Sequence, residues 1–401
     1  QATSQRIRSA WLDGVGREHV KSKMLACTAQ ARAIAALFVF AASSPLVTSH
    51  TSAQQSADNA TAAFVVEAES SQRVVALQMA VAEDSGWARV RMGEVQLPHG
   101  SHGQAYLRLT SMADGAEQRL TMEQLEQWSH HSAYFNGPEV LVEVVVPAGV
   151  SGPVGLTIEE VIGEQSPGGT ASVCGTQDTR STFGHPAIGR LMPVLCTAWI
   201  IDTCNKCLVT AGHCTNGAAS VVQFNVPPSQ PDGTLVFPPP EDQYAIDAGV
   251  TLSSGVSDPG TEYGLLQVFP NPNTGLKPFE VQNSAFAVHD QIPSACDQMR
   301  VAGYGTDNSL QSEPSVNNFV LRADDGPIVS ASVDLIEYQA DKAEGNSGSP
   351  VIDVASGAAV SLHTHAGCNN DRGNRGTSVL RPAFQAALQD VDGPCVCPGL
   401  A

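Results

Sequence analysis

Positive charge is scarce in this chain: 21 lysines and arginines stand against 40 aspartates and glutamates, for a net charge of −19. That balance argues against a nucleic-acid partner, because phosphate backbones are gripped by basic patches, and it describes an acidic, soluble protein. A long apolar run is also missing. The run Ala33 to Ala42 (AIAALFVFAA) is too short to cross a bilayer comfortably. No cysteine lies between Cys27 and Cys174, so whatever folds there must be held by its own core. No loop has a recognisable calcium spacing. The pair Cys204 and Cys207 has no second pair with which to complete a zinc site, and no β-α-β pattern around it that would make a redox motif. A local disulfide pinching the turn is the expectation for these two cysteines. No cofactor and no metal are expected.

What is present describes an exported, folded protein. Hydrophobic residues make up 42% of 401 positions, enough for real cores and more than one ordinary domain, so two domains are expected. Lys21-Ser22-Lys23-Met24 is basic, the short apolar run follows, and small and polar residues then lead to Thr51-Ser52-Ala53. This is the order of a signal peptide and its cleavage site. Residues 1–53 are therefore expected to be removed, with residues 1–23 upstream of a start at Met24, and no membrane contact is expected afterwards. Ten cysteines suit an oxidising compartment, extracellular or periplasmic. Loss of Cys27 leaves an odd number, so one thiol is expected to be free or to bridge to another molecule.

Residues 54–165 carry strand-like runs such as Ala88 to Met92, Ala105 to Leu109 and Val140 to Val146, punctuated by Gly and Pro turns. This is a β-sandwich pattern, with Met122 to Ser129 as its one helical stretch. His99, His102, His130 and His131 read as surface histidines, since nothing near them completes a metal site. The unit is expected to be a propeptide or an attached binding module. Residues 166–180, opening on Ser166-Pro167-Gly168-Gly169, read as a linker, and a processing cut would fall there or near Arg180.

Two motifs in the remaining chain carry chemistry. Gly345-Asn346-Ser347-Gly348-Ser349-Pro350 supplies a serine between glycines, and Thr210-Ala211-Gly212-His213-Cys214 supplies a histidine. A serine hydroxyl is a poor nucleophile at neutral pH and needs an imidazole oriented by a carboxylate. The glycines allow a tight turn in which the N–H groups of Gly345 and Ser347 converge on one point, as an oxyanion hole requires.

In this order the motifs resemble those of the chymotrypsin-fold serine peptidases. Leu208 to Cys214 is similar to that family's histidine motif, Cys196 to Ile201 to the preceding strand, Val301 to Gly305 to the segment opening the second barrel, and Arg381 to Leu388 to its C-terminal helix. The resemblance covers about residues 171–401. It implies an all-β chain with two six-stranded antiparallel β-barrels in residues 181–401, preceded by the smaller β-sandwich. It further implies a disulfide between Cys196 and Cys214, and endopeptidase activity on protein or peptide substrates through an acyl-enzyme. The motif Gly-Asn-Ser-Gly-Ser-Pro is closest to the bacterial glutamyl-endopeptidase branch. Trypsin-type activation, in which an aspartate before the serine pairs with a freshly cut amino terminus, is not implied, because Asn346 stands there. The acid of the triad falls on Glu262 in Glu262-Tyr263-Gly264-Leu265-Leu266, where the family has aspartate; Asp247 is the runner-up. The same likeness assigns the specificity pocket to Asp341, Lys342 and His363. Asp341 matches the floor aspartate that attracts Arg or Lys, Lys342 opposes it, and His363 resembles the histidine with which glutamyl endopeptidases hold an acidic side chain. His363 and His365, two apart on a strand, are expected on one face. Cys174 is expected to tie the start of this region to Cys395 or Cys397. A peptidase fold used only for binding or adhesion is the alternative.

Overall fold

A computed structural model describes residues 61–67, 69–101, 103–163, 173–175, 177–215, 219–255, 258–307, 316–368, 372–390 and 393–396. The expected leader, the sites in it and the opening of the linker lie outside these residues.

The N-terminal unit is a sandwich of two four-stranded antiparallel sheets. One is ordered Thr61–Val66, Gly152–Ile162, Trp87–Gln96, Phe135–Asn136; the other Arg73–Val81, Glu139–Val146, Tyr106–Ser111, Glu117–Leu120. Alternation drives it: along Tyr106–Ser111 every second residue is buried, placing Leu107 and Leu109 in the core. The helix Met122–Gln127 starts at a capping box in which Thr121 Oγ1 accepts the Gln124 N–H and Gln124 Oε1 accepts the Thr121 N–H. It stops short of the expected Ser129 because Ser129 and His130 take positive φ, 52° and 59°.

Two barrels follow. In the first, strands pair in the order Gln243–Ala245, Val221–Gln223, Ile188–Met192, Cys196–Ile200, Leu208–Thr210, Tyr263–Leu266, with Leu252–Ser254 outside. The curled ends are stitched by an Ile246–Val268 bridge and by N–H groups of Asp247 and Phe269 donating to the carbonyls of Gln267 and Ala245. In the second, Val320–Ala331, Gln298–Gly305, Pro350–Asp353, Ala359–His365, Asn374–Ser378 and Leu335–Tyr338 close into a ring through pairing of the last with the first. The helix Pro382–Leu388 packs Phe384 edge-on against Tyr263. This is the all-β, two-barrel architecture that the resemblance implies.

Disulfides join Cys196 to Cys214, as expected, and also Cys174 to Cys368 and Cys207 to Cys395. The last two correct the sequence reading. Cys207 does not close a local loop with Cys204, and Cys174 meets a loop distant in sequence rather than the C-terminus. No described cysteine is free, so the leftover thiol is not found among them. No described helix is long and apolar enough to cross a membrane.

The sandwich is not a separate bead. Its core is continuous with Met192, Val221, Phe237 and Phe319 of the barrels. Phe237 stacks on Tyr134 at 4.9 Å and meets Trp87 edge-on at 5.3 Å. Buried Gln243 exchanges hydrogen bonds with the backbone N–H and C=O of Tyr134, at 3.0 and 2.8 Å.

Candidate active site

His213 lies on a short 3-10 turn, Gly212–Thr215, directly after the strand Leu208–Thr210. Only glycine fits at 212, where a Cβ would stand 2.4 Å from the Gly255 carbonyl oxygen. The Cys196–Cys214 bridge fastens the turn to the neighbouring strand. Antiparallel pairing then delivers the acid. Thr210 is opposite Gly264 at the end of the two strands, and the chain on either side carries His213, three residues on, and Glu262, two residues back, to the same end.

Glu262 is fully buried. Its Oε2 accepts from His213 Nδ1 at 2.9 Å and from the His213 backbone N–H at 3.1 Å, and Oε1 lies 3.1 Å from the same Nδ1. The Glu262 carboxylate thus reaches the imidazole and the backbone of the same residue. Asp247 does not; its Oδ1 accepts the N–H of Gly249 and caps a separate turn. His365 Nδ1 stands 3.5 Å from Glu262 Oε1, a contact absent from the sequence reading. The strand register shifts between His363 and His365, which is why the two histidines do not act as a pair on one face. His363 turns to Tyr338, with Nδ1 2.5 Å from its hydroxyl.

Ser347 sits on a turn that needs its glycines. Gly345 and Gly348 have φ of +100° and +86°, and a Cβ on Gly348 would stand 2.2 Å from the Thr197 carbonyl oxygen. Thr197, next to Cys196, clamps the turn from the first barrel: its N–H donates to the Ser347 carbonyl at 2.8 Å and its Oγ1 to the Gly345 carbonyl at 3.0 Å. The N–H groups of Asn346, Gly348 and Ser349 donate to the carbonyls of Ala343, His363 and Asn346. Among the described residues the N–H groups of Gly345 and Ser347 have no such acceptor. Ser347 is half-buried and the His213 side chain is 35% exposed, so both can be reached from solvent.

The three expected pocket residues are buried but not alike. Asp341 is consumed: one oxygen accepts the Cys174 N–H at 2.7 Å, the other the Thr179 N–H at 2.8 Å and Oγ1 at 2.7 Å. Lys342 is only 7% exposed, and burial pushes its ammonium down to about 8. Burial, then the charges of Lys342, His365 and His213, hold His363 well below the usual histidine range, so it is neutral. Burial likewise raises Tyr338, which stays a phenol. The Nε2 of His363 is buried without a hydrogen-bond partner among the described residues. The contacts of Cys174 and Thr179 with the Asp341 carboxylate also pin these two residues, inside the stretch read as a linker, to the second barrel.

A metal is not suited to the one clustered donor set among the described residues, Cys196, His213 and Cys214, because both sulfurs are committed to a disulfide.

No protein-family model matches the chain, and no curated protein matches it. Solved structures do match. The chain is 16% identical to a thermostable serine protease, AL20, from an extremophilic microorganism, over 48% of this chain and 91% of that one, with a TM-score of 0.36. It is 14% identical to a Glu endopeptidase solved in complex with MPD, over 54% and 96%, with a TM-score of 0.40. A serine-to-alanine mutant of Rv3671c from M. tuberculosis H37Rv, in an inactive form, matches at 14% identity over 50% and 85%, with a TM-score of 0.33. Similarity at this level leaves the two-barrel assignment resting on the strand pairings themselves.

Proposed function

We propose that this chain is a serine endopeptidase acting outside the cytoplasm, with Ser347 as nucleophile, His213 as general base and Glu262 as the orienting carboxylate. The observation that carries the reading is the buried Glu262 carboxylate engaging both Nδ1 and the backbone N–H of His213, with the glycine turn of Ser347 meeting the next residue, Cys214, whose Sγ lies 3.9 Å from the Ser347 carbonyl. With Nδ1–H donating to Glu262, Nε2 is left as the base. His213 takes the Ser347 proton as the hydroxyl attacks a peptide carbonyl. The Gly345 and Ser347 N–H groups receive the negative charge that develops on the carbonyl oxygen. His213 then gives its proton to the leaving amine, and water repeats the sequence to release the acyl group. Three disulfides among the described residues support an oxidising compartment.

Cleavage after an acidic residue is the substrate preference we assign. Asp341 is already satisfied by Cys174 and Thr179, which argues against its attracting arginine or lysine. In the tautomer where Tyr338 donates to His363 Nδ1, the buried Nε2 is an N–H donor with no partner among the described residues, and a substrate carboxylate entering the pocket would satisfy it near the Lys342 ammonium.

A fluorophosphonate probe tests the nucleophile directly. The folded protein is expected to label, and Ser347→Ala and His213→Ala to abolish the labelling. Folded wild-type protein that stays unlabelled would overturn the enzyme reading in favour of a peptidase fold used for binding.

A further inference from the structure

The turn that carries Ser347 is braced through one side chain. Asn346, 2% exposed, accepts the Ala343 N–H on Oδ1 at 2.9 Å and donates through Nδ2 to Ser349 Oγ at 3.4 Å, so it links residues on both sides of the serine. The same Oδ1 is reached by Arg180 Nη1 at 3.4 Å. Arg180 comes from the segment leading into the first barrel, and its side chain is 1% exposed.

That guanidinium has no freedom to wander. Nε and Nη2 fork onto Asp178 at 3.0 and 2.7 Å, and Nη2 also donates to the Thr306 carbonyl at 2.8 Å. Asp178 is shared with Arg322 at 3.1 Å, and Arg322 in turn reaches Asp307 and the Arg180 carbonyl. The backbone on either side is tied down as well. Cys174 is bridged to Cys368, Thr179 bonds Asp341, and Ser181–Thr182 pairs with Val320–Ala331. Burying a cation this deeply is costly unless its donors are satisfied, and a satisfied buried network rigidifies the residues it joins. Here the donor left over after Asp178 and Thr306 falls on the residue next to the nucleophile.

We infer that Arg180 is a positioning residue: within the continuous, uncut chain it holds Asn346, and through it the Gly345 and Ser347 amides, in the arrangement that binds the oxyanion. The inference rests on the proposed peptidase reading and adds to it that activity needs no cut near Arg180. The cation is already in place in the uncut chain, so no cut is needed to build the brace.

The test uses the full secreted protein, with Arg180→Ala and Arg180→Lys compared with wild type for fluorophosphonate labelling, kcat, KM and affinity for a peptidyl boronate. The boronate becomes tetrahedral and reports the oxyanion site, whereas KM does not. Intact mass of the labelled wild-type protein reports whether the chain ahead of Arg180 is continuous. Circular dichroism reports folding. The expected result is labelling of uncut wild type and a loss in Arg180→Ala of about 10²–10³ in kcat, the scale of one oxyanion donor, with boronate affinity falling in parallel and KM little changed. Arg180→Lys is expected to lie between. If Arg180→Ala does not fold, the Lys variant and the intact mass still decide. A folded variant with wild-type kcat and boronate affinity, or wild-type protein that labels only after cleavage at or before Arg180, would overturn the inference alone. Wild-type protein that never labels would overturn the peptidase reading beneath it.

Discussion

Lys342 and His363 are both buried, yet at neutral pH only Lys342 is charged. Desolvation brings Lys342 down to about 8 and leaves His363 neutral. Below about pH 8 the proposed pocket therefore holds an ammonium and a neutral imidazole, and above it the ammonium loses its proton. The ratio of kcat/KM for a peptide with glutamate before the scissile bond to one with glutamine there is expected to be highest below that pH and to fall as pH rises through it. Lys342→Met should show a lower ratio with no such fall, which a pH series on the two peptides would check. Ser347 and His213 were legible from sequence because each sits in a short backbone motif whose glycines are needed locally. Thr197, Tyr338 and Arg180 were not, because each acts on residues far away in the chain through a single hydrogen bond that leaves no pattern around it.

The end of the stretch 166–180 shows how far an element's role depends on its partners. Composition predicts a linker there, but Cys174 is bridged to Cys368 across 194 residues of chain, and Cys174 and Thr179 both bond Asp341. Replacing both cysteines by alanine is expected to cost about 2–4 kcal/mol, since the unfolded chain regains the freedom of a long closed loop. Urea unfolding of the double variant measures it, and an unchanged midpoint would mean the hydrogen bonds to Asp341 suffice. The strand Ala359–His365 makes the complementary point. Periodicity puts His363 and His365 on one face, but the register shift between them sends one to Tyr338 and the other toward Glu262.

At the scale of the molecule, the sandwich and the first barrel share one core around Phe237, which is 1% exposed. Phe237→Ala removes the ring that Trp87 and Tyr134 pack on, and is expected to cost about 3–5 kcal/mol. Because the core is continuous, sandwich and barrel should melt together, and calorimetry should show one transition moving to lower temperature. Two separate transitions, with only one displaced, would instead mean independent units. The same continuity leads us to expect the sandwich to stay attached, because its removal would expose Phe237, Val221 and Met192 to water. By itself the sequence determined the strand runs of the sandwich and the histidine and serine turns, which are written in local periodicity or in glycines, while the two-barrel all-β architecture and the Cys196–Cys214 bridge came from the resemblance its motifs carry. Only the tertiary structure decided which acid faces His213, that Asp341 is already satisfied, how Cys174 and Cys207 pair, and that the sandwich and barrel share a core. Those outcomes depend on register and on side chains brought together across the whole chain, and no local pattern encodes them.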